Sequence, residues 1–190
     1  MITFEKTDIV GLTLIHPHFF QDKRGYFLKD FECNIYRENG LPESFVETSD
    51  SMSKKGTIRG LHFQQKFSQG KLIRVLNGAV FDVAVDLRFE SPTFGQWRGF
   101  DLSADNHTIL YLPEGFAHGF MALEDNTVFQ YKFTNKYAPE FESGICFNDS
   151  DINVKWPVER LNGAEIITSE RDKNFQTFAD FKAKGNPIEW

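Results

Sequence analysis

The sequence predicts an all-β chain folded as a sandwich or barrel. Three observations point there: short segments that alternate in polarity, turn residues that punctuate them regularly, and little helical periodicity. The clearest segment is KLIRVLNGAVFDVAVDL, residues 71–87. Asn-Gly between two alternating runs is the strongest short-range hairpin signal. A two-residue loop predicts the pairs Leu76–Ala79, Val75–Val80, Ile73–Asp82 and Lys71–Ala84. Cross-strand partners share a face, so Lys71, Ile73, Val75, Val80 and Asp82 fall on one side. Leu72, Arg74, Phe81, Val83 and Val85 fall on the other. GFAHGFMALEDNTVFQYKF repeats the design over residues 115–133. Phe116, His118, Phe120 and Ala122 are in phase, Glu-Asp-Asn makes a turn, and Phe129, Tyr131 and Phe133 are in phase again. One short helix is expected over residues 31–40, ending at Gly40. Another is expected over residues 168–185, with Ser169 as its cap.

A length of 190 residues suits one domain, with two small ones possible. There is no linker-like tract, low-complexity run or internal repeat. The 21 Phe residues supply aromatic area enough to fill a core or line a cavity. A net charge of −6 argues against a general nucleic-acid binder, although a local Arg cluster could still hold a phosphate. Two cysteines, Cys33 and Cys146, make neither a disulfide framework nor a Cys metal cluster. The opening residues MITFEKTDIV lack the pattern of a signal peptide, and no stretch suits a membrane span. These features lead to the expectation of a cytoplasmic protein.

Several residues could carry chemistry. His62 alone reads as readily as a hydrogen-bonded core histidine. Lys71 opens the next strand, where a solvated face is the ordinary reading; Asp82 on the same predicted face could hold its ammonium. His118, flanked by Phe116 and Phe120, reads as packed, and Tyr131 as a core tyrosine whose hydroxyl finds some partner. His16 and His18 have the spacing of a ligand pair, with Asp22 the nearest carboxylate, but Pro17 makes a solvated edge the better reading. A base at His62, an ammonium at Lys71, a phenol at Tyr131 and phosphate-capable Arg24 and Arg59 would suit proton abstraction beside a carbonyl. Strict alternation sets Arg59 and His62 on opposite faces, three residues apart, unless Gly60 makes a bulge.

The motif series DKRGYF, IRGLHFQ, QGKLIRVLNGAVFDVAVDLR, SPTFGQW, LPEGFAHGF, YKFTNKYAPE and ITSERD resembles that of the dTDP-4-dehydrorhamnose 3,5-epimerase family. It runs from about Arg24 to Asp172 in the family's order. The resemblance implies a jelly-roll (cupin-type) barrel with short peripheral helices, acting without metal or other cofactor on a dTDP-linked 4-keto-6-deoxyhexose. It also implies a single domain over residues 1–190 and a homodimer that exchanges N-terminal strands, with no nucleic-acid or membrane partner. His62 matches the general base, Asp172 the carboxylate that orients it, Tyr131 the general acid and Lys71 the enolate stabiliser. Arg24 and Arg59 match pyrophosphate contacts, His118 a substrate contact, Tyr137 the aromatic that stacks on thymine, and Glu142 and Arg171 further contacts. From its residues alone, Ser169-x-x-Asp172 reads as a helix start.

Five positions in substrate-binding motifs depart from the pattern, Arg171 standing for the family's Lys before Asp172, and the loop between His62 and Lys71 is one residue shorter. Lys29 stands where the family has Glu, and Glu47, Thr48 and Ser49 replace Gln-Asp-Asn. The Lys29 and Glu47 changes are opposite in charge and would compensate if the two side chains faced each other. The leading expectation is an epimerase acting at C3 and C5 in deoxysugar biosynthesis. Alternatives are a single-site 3- or 5-epimerase, a 3,4-ketoisomerase, a non-catalytic sugar-nucleotide module and, last, a metal-dependent oxygenase.

Overall fold

The computed structural model describes residues 2–189. The chain begins β1 (Thr3–Lys6), β2 (Thr13–His16), β3 (Phe19–Asp22), β4 (Gly25–Leu28) and helix α1 (Cys33–Glu38). Next come β5 (Glu47–Ser53), β6 (Ile58–Gln64), β7 (Lys71–Asn77) and β8 (Ala79–Asp86). Then follow β9 (Trp97–Ser103), β10 (Ile109–Leu112), β11 (Phe116–Ala122) and β12 (Thr127–Phe133). The chain closes with β13 (Glu142–Gly144), α2 (Glu170–Lys173) and α3 (Phe178–Ala183). A six-stranded sheet, β1-β2-β10-β7-β12-β5, faces a five-stranded sheet, β13-β6-β11-β8-β9, and β3-β4 form a separate ribbon. Ile73, Val75, Leu110 and Phe129 of the first sheet meet Val80, Ala84, Leu102 and Phe120 of the second in one core. This is the expected all-β jelly roll with short peripheral helices. None of the helices is long and apolar enough to cross a membrane among the described residues.

The Asn77-Gly78 turn is not a hairpin. β7 is hydrogen-bonded to β10 and β12, whereas β8 is bonded to β11 and β9. The predicted pairs are therefore replaced: Ile73 lies opposite Leu110 and Tyr131, and Asp82 opposite Phe120 and Phe100. Asn-Gly here turns a corner from one sheet to the other. Gly78 has φ +78°, and a Cβ on it would lie 2.5 Å from Thr127 Oγ1. The Glu-Asp-Asn turn does the same between β11 and β12, which also belong to different sheets. Alternation is local and survives the corner, so the expected inward phase holds. Ile73, Val75 and Val80 enter the shared core. The opposite face divides: Leu72 packs beneath Tyr36, while Val83 and Val85 meet Phe178 and Phe181 of α3.

The first predicted helix is α1, capped by Glu32 and followed by Gly40 at φ +74°. The second divides into α2 and α3. Ser169 caps α2 as expected, and a capping box of Thr177 and Asp180 starts α3. Six residues make a marginal helix in water. Burial of Phe178 and Phe181, roughly 1.5–3 kcal/mol each, holds α3 on the sheet.

Gly60 re-phases β6. His62 lies opposite His118 and Arg59 opposite Phe120, so three steps on β6 span two on β11. That one extra residue brings Arg59 and His62 to the same cavity. Gly60 has φ +132°, and a Cβ there would sit 2.5 Å from Gly119 Cα. Gly60→Ala is expected to cost about 1–3 kcal/mol of stability, the range for a strained backbone position. Urea unfolding checks this, and a wild-type midpoint would show that β6 does not need the glycine.

Candidate active site

A cavity of about 150 Å³ opens between the two sheets. Arg59 and His62 enter it from β6, Lys71 from β7, His118 from β11 and Tyr131 from β12, with Tyr137 and Glu142 at its edge. His62 and Tyr131 thus stand on facing sheets. An adjoining groove of about 580 Å³ shares Arg59 and His62 and adds Arg171 and Asp172.

Asp172 lies in the first turn of α2, where Ser169 Oγ accepts its backbone N–H at 3.1 Å. Its Oδ1 is 3.0 Å from His62 Nε2, and its Oδ2 accepts the Gly60 N–H at 3.2 Å. Burial alone would raise this carboxyl. The hydrogen bond and charge of His62, with the Gly60 N–H, outweigh burial and hold it below the usual carboxylate value. An ionised Asp172 requires the proton on His62 Nε2, which leaves the Nδ1 lone pair free to act as a base.

Lys71 is 7% exposed. Its Nζ donates to the His62 carbonyl at 3.3 Å, and its other N–H bonds have no protein partner among the described residues. Burial pulls its ammonium from 10.5 down to about 8, against the opposing charges of Glu142 and Asp82. The group is therefore cationic at neutral pH. The expected Asp82–Lys71 ion pair does not form; the Asp82 carboxylate goes instead to His118, Oδ2 to Nε2 at 2.8 Å. Tyr131 stacks on Phe133 with centroids 5.6 Å apart and leans on Phe129 at 4.7 Å. Burial pushes its phenol upward, so it stays protonated.

Of the remaining predicted residues, Arg59, Tyr137, Glu142 and Arg171 border the cavity and its groove. Arg59 Nε donates to Ser53 Oγ at 3.1 Å. Glu142 Oε2 accepts from Tyr137 Oη at 2.7 Å and from Arg171 at 2.6 Å. Glu47 does not meet Lys29: both of its oxygens are 3.0 Å from the Tyr137 N–H, and Lys29 is exposed. Thr48 and Ser49 are exposed on β5, with Ser49 opposite Tyr131. Arg24 does not line the cavity of its own chain; it sits at the tip of the β3-β4 ribbon, paired with Asp22 at 2.6 Å. His16 pairs with Glu5, His18 abuts Phe20, and no metal-competent group of three His, Cys, Asp or Glu occurs among the described residues. Sequence reasoning missed the Asp82–His118 pair because local pattern does not tell which distant strand lies beside β8. It also missed Phe175, whose ring meets His62 edge-on at 5.4 Å.

A carboxylate-held imidazole facing a protonated phenol, with an ammonium beside them in a jelly roll, defines an acid–base isomerase. The family model described as dTDP-4-dehydrorhamnose 3,5-epimerase matches residues 6–180. The chain is 48% identical over 185 residues to the dTDP-4-dehydrorhamnose 3,5-epimerase of Methanothermobacter thermautotrophicus, covering 97% of this chain and 96% of that one. The solved dTDP-6-deoxy-D-glucose-3,5-epimerase of Legionella pneumophila, in complex with dTDP-4-keto-L-rhamnose, superposes with a TM-score of 0.92 at 39% identity over the whole of both chains. The Elizabethkingia anophelis dTDP-4-dehydrorhamnose 3,5-epimerase gives 0.86 at 42% identity, covering 94% of this chain and 97% of that one. The chain belongs to the dTDP-4-dehydrorhamnose 3,5-epimerase family.

Lys71 makes a pH dependence of stability. Its folded-state value lies below its unfolded one, so between about 8 and 10.5 the unfolded chain keeps a proton that the folded chain has released. Stability from this group therefore rises with pH across that window. Relative to Lys71→Met, wild type should gain stability between pH 7 and pH 10 in urea titrations. A constant difference between the two proteins would place the ammonium in solvent.

Proposed function

We propose that the chain inverts C3 and C5 of a dTDP-linked 4-keto-6-deoxyhexose, in the route to a dTDP-rhamnose-type deoxysugar. The observation that carries this reading is the His62–Asp172 pair facing Tyr131 across a cavity that also holds the Lys71 ammonium. His62 Nδ1 takes the proton from the carbon beside the C4 carbonyl. The electron pair moves onto the carbonyl oxygen, and the free N–H bonds of Lys71 stabilise that enolate as it forms. Tyr131 returns a proton from the opposite face, which inverts the centre. His62 then releases its proton and Tyr131 recovers one, and the cycle repeats at the second carbon.

Around this centre, Arg59 and Arg171 suit the pyrophosphate, Tyr137 offers its exposed ring to thymine, and His118 and Glu142 border the sugar. Glu47 shapes the rim by holding the Tyr137 backbone, and the exposed Lys29, Thr48 and Ser49 are available to a bound substrate. The ribbon β3-β4 exposes Phe19, Phe20, Tyr26 and Phe27. A two-stranded ribbon is marginal alone, and such an apolar patch marks an interface. A second copy that receives this ribbon would cover the patch and deliver Arg24 to the neighbouring site. β1 pairs with β2 of its own chain, and among the N-terminal strands we infer that the exposed ribbon is the one exchanged. A cytoplasmic location agrees with a nucleotide-sugar substrate.

The test is incubation with dTDP-4-keto-6-deoxyglucose in deuterated water, followed by NMR. Deuterium at both C3 and C5 of an inverted product is expected; deuterium at one carbon would reduce the activity to single-site epimerisation. His62→Ala should lower turnover by about 10²–10⁴-fold, the usual share of a general base. Tyr131→Phe should fold normally, still exchange the substrate proton with solvent and form little epimer. Normal epimer yield from it would remove Tyr131 from the role. Wild-type turnover should fall as pH rises through about 8, where Lys71 loses its ammonium.

A further inference from the structure

We propose that Asp82 is a positioning residue for this reaction: its carboxylate holds His118 in one tautomer, with the free Nδ1 lone pair kept for the cavity. The inference rests on the epimerase reading above. Asp82 is fully buried, with 0% exposure, on the inner face of β8. Its cross-strand neighbours there are Phe120 and Phe100, and Val80 and Ala84 flank it along the strand. Nothing about packing asks for an acid in this place. Its Oδ1 has no hydrogen-bond partner, which costs about 1–3 kcal/mol or more for a buried polar group. A fold selected for stability alone would carry an apolar side chain there.

What Asp82 touches accounts for the acid. Its Oδ2 lies 2.8 Å from Nε2 of His118, which is itself buried. With Asp82 ionised, Nε2 must carry the proton, and Nδ1 of His118 keeps a lone pair. Nδ1 has no partner among the described residues, and His118 lines the cavity. His118 is thereby set to accept a hydrogen bond from a sugar hydroxyl. Asp82 lies behind His118, and the titratable and charged groups lining the cavity in front of it are Lys71 from β7, His62 and Arg59 from β6, His118 from β11, Tyr131 from β12, Glu142 from β13 and, before that strand, Tyr137. From β9, Arg98 is already paired with Asp8. Lys71 is the buried cation among them, and burial pushes it towards the neutral amine; Glu142 and, after it, Asp82 oppose that loss through space. Burial likewise raises the Asp82 carboxyl, and His118 and Lys71 oppose the rise.

Asp82→Asn tests this with little change of shape. Wild-type turnover of dTDP-4-keto-6-deoxyglucose is measured beside it, so an inactive wild type counts against the reaction and not against Asp82. The expected variant binds dTDP within about twofold of wild type. Its kcat falls by about tenfold or more, the scale seen when a histidine loses an orienting carboxylate. The alkaline limb of its rate profile moves to lower pH, because Lys71 has lost a counter-charge. A kcat and an alkaline limb at wild-type values overturn the proposal. So does a loss of kcat matched by an equal loss of dTDP affinity with the limb unmoved, which is what simple damage to the fold produces. Should the variant not fold, ¹⁵N spectra of the wild-type protein decide, with His118 assigned by His118→Asn. The Nε2–H tautomer of His118 is expected, and the Nδ1–H tautomer overturns the proposal.

Discussion

An ammonium cannot stand alone inside an aromatic barrel, and much of the site follows from how Lys71 is accommodated. A single unpaired charge in such a place costs several kcal/mol. Lys71 meets part of that cost with its hydrogen bond to the His62 carbonyl. That bond ties β7 of the six-stranded sheet to β6 of the five-stranded sheet at the cavity. Glu142 and Asp82 supply opposite charge without a direct ion pair. In the proposed reaction the N–H bonds left over are offered to a developing enolate oxygen. A cation already satisfied by a close carboxylate would have less to offer.

The polar groups of the cavity are core positions with a different side chain. Along β7 the inward sequence is Lys71, Ile73, Val75; along β12 it is Phe129, Tyr131, Phe133; along β11 it is Phe116, His118, Phe120. Each strand contributes to the apolar core and to the cavity with the same inner face. Phe120 and Phe129 stack at 4.6 Å with rings 5° apart, closing the cavity against the core. Chemistry placed on strands in this way is held by the ladder hydrogen bonds on both sides, which fixes position more tightly than a loop can.

The phase of these faces is legible in the sequence, but the pairing of the strands is not. Alternation is a property of one strand and needs only its own residues, so the pattern groups Lys71, Ile73 and Val75 on one strand and Val80 and Asp82 on the next. Pairing is a property of the whole fold. Asn77-Gly78 supplies the same local bend whether the chain folds back beside itself or crosses to the facing sheet. Only the demand that both strands keep an inner face selects the corner. A hairpin at that turn would fill one edge of β8 and leave open which strand takes the other, so the Asp82–His118 contact is invisible to local pattern. The conflict between Arg59 and His62 is legible because it is a counting problem, and the glycine between them offers its solution. The family's motif series carries what geometry cannot: Asp172 is 110 residues from His62, and no periodicity links them.

Asp172 also shows why two readings of one residue need not compete. As the third residue of a capped helix it satisfies the ordinary sequence rule, and Ser169 does accept its N–H. That cap leaves its side-chain oxygens free, since the helix start takes only the backbone N–H. The free oxygens reach back to β6, one to His62 and one to the N–H of Gly60. The second contact lands on the residue that re-phases the strand. The short helix, the bulge and the base are therefore one unit. A displacement of α2 would release the imidazole from its partner and the Gly60 N–H from its acceptor together. The parallel bridge between Thr57 and Ile167 joins the same two segments just outside this unit. The orientation of His62 thus depends on a segment that the jelly roll does not need for its own closure.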